Sequence, residues 1–187
     1  MEEAFSQNLS NWTAFYALLG GMAATLLGLL FVALSLRLNI FHQREVADVR
    51  GFAACAFITF LVTMAVAGLA LAPHEHPATL GFSLLVMGAI GQLAIATVVR
   101  VWGRLNPPET RHSPRARAEM RLGWTFVVVM SLAYLGLIAV AILIWRGHPG
   151  ALGWLGLIEG CLIGMGTIAA WIMLSHAGDV PAESDGG

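Results

Sequence analysis

Residues 122–145 read LGWTFVVVMSLAYLGLIAVAILIW, 24 consecutive positions without a formal charge. A helix crossing the hydrocarbon core of a bilayer needs about 20 mainly apolar residues at about 1.5 Å rise each. This stretch meets that requirement, and it is too long to be a buried strand. Four more stretches do the same, giving spans at 12–36, 51–72, 78–99, 122–145 and 150–175. Four of the five carry no charge, and the fifth carries Glu159 alone. The expected fold is an all-α integral membrane bundle of five transmembrane helices in a single domain, 1–187.

Composition agrees. Hydrophobic residues make up 58% of the chain and charged residues 11%, against roughly half and a quarter in a soluble domain. The first span stays in the mature chain on this reading, because MEEAFSQN lacks the positive n-region of a secretory signal. Cys55 and Cys161 both sit in apolar runs, so no disulfide framework is expected. There is no lysine, and the ten positive charges are all arginine. We read this bias, with the abundance of Ala, Gly and Leu, as that of a GC-rich bacterial genome.

Six of the ten arginines fall between Arg100 and Arg121, and three more lie between the first two spans. The positive-inside rule therefore places those two connections in the cytoplasm, with the amino terminus outside and the acidic tail, 177–187, inside. The expected location is a bacterial inner membrane. Trp12, Trp102, Trp124, Trp145 and Trp154 fall near span ends, as interfacial anchors do. The connection 101–121 reads as a basic cytoplasmic loop, whose Arg104, Arg111, Arg115, Arg117 and Arg121 suit anionic lipid headgroups better than nucleic acid.

Glu159 lies in the middle of GLIEGCLIG, residues 156–164. A charge near the bilayer centre costs at least a few kcal/mol on insertion scales, so such residues mark ion paths, proton relays or substrate contacts by default. Thr25, Thr63, Gln92 and Tyr134 lie at similar depth on the other four spans, and each can donate a hydrogen bond to a carboxyl group. No arginine reaches that depth. The competing reading of Glu159 is a structural acid tying helices together.

Glycines at 153, 156, 160 and 164 repeat at helix-packing spacing, as do Gly20, Ala24 and Gly28 in the first span. Such spacing lets neighbouring helices approach closely, within one chain or between copies. His74, Glu75 and His76, with His148 in the other short hairpin, form at most a weak candidate for a metal site; no metal or other cofactor is expected. No nucleophile with its base, phosphate loop or dinucleotide fingerprint is present, so the chain does not read as an enzyme.

The first span, and GLLFVALSL at 28–36 in particular, resembles the opening helix of small, uncharacterised multi-pass membrane proteins of bacterial genomes. The resemblance covers about the first 75 residues and carries over neither an activity nor a functional residue. Together these features favour a small homo-oligomeric channel or permeation protein for a cation or small solute, in which one acid per copy could form a ring around a pore. The alternative is a non-catalytic accessory or scaffold subunit of a larger membrane complex.

Overall fold

The computed structural model describes residues 2–36, 47–72, 76–105, 114–148 and 150–178. Five helices account for nearly all of them: α1 (Glu2–Leu36), α2 (Ala47–Leu71), α3 (Pro77–Leu105), α4 (Pro114–Trp145) and α5 (Ala151–Gly178). There is no strand among the described residues. Each helix holds a segment long and apolar enough to cross a membrane. Large apolar side chains such as Leu18, Leu29, Phe31, Leu93, Leu132 and Trp171 are more than half exposed. Lipid solvates such a surface and water does not.

The helices run further than the apolar segments require. What reads in the sequence as a loop over 101–121 is helical over 101–105 and 114–121, leaving 106–113 between the two helices. Pro114 opens α4 and Pro77 opens α3, each at a position where the missing N–H costs nothing. The α4–α5 turn closes in a Schellman geometry: Gly147 N–H donates to Ile144 O at 2.8 Å and His148 N–H to Leu143 O at 3.0 Å. Gly147 takes φ +75°, which only glycine adopts at no steric cost.

α2, α3, α4 and α5 form a ring in which sequence neighbours pack side by side and α5 returns to α2. α1 lies outside this ring, against α2 and α5. α2 is the most enclosed helix, with half of its most apolar segment buried, whereas α1 has 17%. Call the end carrying the α2–α3 and α4–α5 turns the hairpin end, and the other, toward which the arginine-bearing connections lie, the basic end.

The tightest helix contact is between α3 and α4. A Cβ on Gly81 would lie 2.7 Å from the Trp145 backbone nitrogen and 2.8 Å from the Ala141 carbonyl oxygen. Gly88 abuts Ile138 and Gly91 abuts the Tyr134 ring, so the two helices run antiparallel along a seam of small residues. With little hydrophobic drive between helices in lipid, close backbone packing of this kind supplies much of the association energy. Because backbone atoms cannot move aside, Gly81→Ala will destabilise the protein by about 1–3 kcal/mol. Gly28→Ala, where nothing lies within 4 Å, will be neutral or slightly stabilising. Thermal unfolding of both variants in detergent checks the pair, and equal losses would refute the seam.

Candidate functional site

Three polar side chains are fully buried among the described residues: Thr59, Thr63 and Glu159. Glu159 comes from the middle of α5 and is 0% exposed. It therefore faces the interior of its own bundle and does not line a surface where copies of the chain could form a ring of acids around an axis. The helix's rotation sets this, and spacing along an all-apolar helix cannot show it.

Around the carboxyl group, α2 contributes Thr63, α1 contributes Tyr16 and α4 contributes Tyr134. The Thr63 hydroxyl faces the carboxyl group across the α2–α5 contact. It stops short of hydrogen-bond geometry, and Thr63 Oγ1, Glu159 Oε1 and Glu159 Oε2 are all buried without a partner. The Tyr16 and Tyr134 hydroxyls lie within electrostatic reach of the same carboxyl group. Each is committed elsewhere: Tyr16 Oη donates to Leu152 O at 2.7 Å, and Tyr134 Oη donates to Thr59 Oγ1 at 3.3 Å. Thr59 in turn donates to Cys55 O at 2.7 Å.

The remaining candidates go elsewhere. Thr25 is exposed on α1 and bonds back to Gly21 O at 2.8 Å, so it does not join the site. Gln92 is half-buried and donates to Ser131 Oγ at 2.9 Å across the α3–α4 seam, leaving its Oε1 without a partner. Among the glycines of α5, Gly153 and Gly156 are sockets for rings: Trp12 lies 3.6 Å from a Cβ built on Gly153, and Phe15 lies 2.6 Å from one on Gly156. Gly160, Gly164, Ala24 and Gly28 are exposed. Gly20 meets the Ala67 Cβ at 3.1 Å and sets the α1–α2 approach.

Tyr16 is the site residue that sequence reasoning missed. Its Cα stands near the start of the first span, and only its long side chain, pinned by the edge-to-face contact with Phe15 at 5.6 Å, reaches α5. The signal was present in WTAFY, 12–16, three aromatic residues one helical turn apart that make a continuous ring surface.

No metal-holding cluster occurs among the described residues. His76 and His148 are exposed, while His74 and Glu75 lie outside the described residues, as do Arg111 and 179–187 of the acidic tail. Arg115, Arg117 and Arg121 fall on the first turns of α4, and Arg104 on the last of α3.

No family model, curated protein or solved structure matches the chain. The site must therefore be read from its own chemistry. An acid that served only to tie helices would be fully hydrogen-bonded, because an unsatisfied buried polar group costs about 1–3 kcal/mol and more if charged. Replacing Glu159 by Met, similar in volume and apolar, will accordingly raise stability by about 1–3 kcal/mol. A thermal midpoint that falls instead would mean that the carboxyl group holds the bundle together.

Proposed function

We propose that the protein is a small membrane permeation protein for a cation, with Glu159 as the intramembrane group that receives it inside each chain. The observation that carries this reading is the trio of buried, unpartnered oxygens, Glu159 Oε1, Glu159 Oε2 and Thr63 Oγ1, at the middle of a five-helix bundle. A carboxylate is the cheapest way to favour a cation in a low-dielectric setting. Its cost in stability is retained where function needs it. Because the acid lies within one bundle, permeation does not need a shared pore axis. Any self-association brings copies of a complete site together.

The arginine asymmetry supports the finer topology as part of the same proposal: amino terminus outside, basic end cytoplasmic, in a bacterial inner membrane. An accessory role in a larger complex draws on one specific observation, the exposed small residues Ala24 and Gly28 on α1 and Gly160 and Gly164 on α5, which suit contact with another helix.

Ion flux in liposomes holding only this protein tests the proposal. Wild type will conduct above empty liposomes, and Glu159→Gln, which keeps the size of the side chain and removes its charge, will reduce the rate at least tenfold. Folded protein that carries no ion and co-purifies from native membranes with a fixed partner would favour the accessory role instead.

A further inference from the structure

Resting on that reading, we infer that the cation is a small alkali metal ion of the size of sodium, held without its water between Glu159 on α5 and Thr63 on α2.

Thr63 is the odd hydroxyl of the bundle. Thr13, Thr25, Thr59, Ser83 and Thr167 each donate to the carbonyl oxygen four residues earlier on their own helix. That carbonyl is the nearest acceptor for a hydroxyl on a helix in lipid. Thr63 has the Thr59 carbonyl at the same spacing and makes no such bond, and its oxygen is buried without a partner. It stands instead across the α2–α5 contact from the Glu159 carboxyl group.

The neighbouring hydroxyls point the same way. A carboxylate kept for structure is met by donors. The two tyrosines within electrostatic reach of Glu159 send their protons elsewhere, Tyr16 to Leu152 O at 2.7 Å and Tyr134 to Thr59 Oγ1 at 3.3 Å. Each phenol oxygen keeps a lone pair and has no second proton to give. The carboxyl group is therefore surrounded by oxygens free to accept. Glu159 Oε1 and Oε2 and Thr63 Oγ1 are the direct ligands, and Tyr16 Oη and Tyr134 Oη stand by to complete the shell.

Charge sets the class of ion. In the apolar segments of the five helices the charged residues are Glu159 and Arg100, and Arg100 is exposed near the end of the α3 segment. A monovalent ion leaves the site neutral. A divalent ion leaves a positive charge uncompensated in a low-dielectric interior, which costs several kcal/mol or more. Calcium also takes about six to eight oxygens, and magnesium keeps much of its water. The groups facing Glu159 are hydroxyls, without the nitrogen or thiolate that transition metals prefer.

Enclosure sets the size. Glu159 and Thr63 are both 0% exposed, so protein oxygens replace the hydration shell. Potassium is selected by closed rings of backbone carbonyls, whereas α2 and α5 run unbroken past the site with their carbonyls bonded within the helix. Three oxygens converging across one helix contact suit the smaller ion.

The test reads binding and transport separately. A ligand that binds only the folded state raises its thermal midpoint, so unfolding of the purified protein is followed in sodium, potassium, calcium and choline chlorides at equal ionic strength. Sodium, calcium and proton flux are measured in liposomes. Sodium will raise the wild-type midpoint saturably and more than the other three salts, and it will cross the wild-type liposomes. Glu159→Gln will abolish both effects. Thr63→Val will raise the half-saturating sodium concentration at least about tenfold. Thr63→Ser, which keeps the oxygen, will stay near wild type, and it keeps the ligand assignment testable should valine disturb folding. A larger response to calcium would overturn the charge argument, and an equal response to potassium the size argument. A sodium response unchanged in Thr63→Val would overturn the site. Glu159-dependent proton flux without a sodium response would overturn the metal assignment and leave the permeation reading standing. Glu159-dependent sodium binding without flux would keep the site and remove that reading, and the absence of both would remove the two together.

Discussion

Hydrocarbon supplies no hydrogen bonds, so every polar group in a membrane bundle must be satisfied by the chain itself or carry a cost. This constraint organises the molecule. Backbone groups are met within five long helices, and isolated hydroxyls such as Thr25, Ser83 and Thr167 bond back to their own helix. Thr59 does the same while accepting from Tyr134 of α4, and Tyr134 and Tyr16 reach between helices to find their acceptors. Among the described residues the exceptions are Gln92 Oε1 and, facing one another, Glu159 and Thr63. Around this unsatisfied acid α5 presents the carboxyl group and α2 faces it with Thr63, while the Tyr134 hydroxyl of α4 and the Tyr16 hydroxyl of α1 lie within electrostatic reach.

The role of α1 follows from this geometry. It is the least buried helix and lies outside the ring of the other four. Its aromatic cluster nevertheless covers α5 at Leu152, Gly153 and Gly156. Gly156 permits that cover, since a Cβ there would lie 2.6 Å from the Phe15 ring, while Gly153 seats Trp12 at ordinary contact distance. The same residue type thus works differently in two places: as ring sockets between α1 and α5, and as a backbone seam at Gly81 between α3 and α4. A seam that rigid gives Tyr134, packed on Gly91, a fixed position from which to reach Thr59.

Much of the fold was legible because its signal is length. Five uncharged runs of about 20 residues have few alternative explanations, and the two turns are marked by proline and glycine. Depth was also legible, by counting residues, and it brought Thr63, Tyr134 and Glu159 into consideration. Rotation about the helix axis was not. A span that is apolar on every side has no amphipathic period to show which face turns inward. Thr25 therefore looked equivalent to Thr63 although it points away, and a ring of acids between copies looked possible. Tyr16 was missed for the converse reason, since a Cα count ignores the reach of a tyrosine. The α3 seam escaped because Gly81, Gly88 and Gly91 are spaced by seven and three residues, not by the four-residue repeat that draws the eye to α5.

The central claim is that the acid is enclosed within a single chain by residues of α1, α2 and α4. Solid-state NMR of the protein in lipid bilayers, with isotope-labelled chains diluted among unlabelled ones, tests it most directly. The account predicts through-space correlations from the Glu159 carboxyl carbon to Thr63 and to the Tyr16 and Tyr134 rings that survive dilution. Correlations that vanish on dilution, or that connect Glu159 to lipid chains, would place the acid at a surface and contradict it.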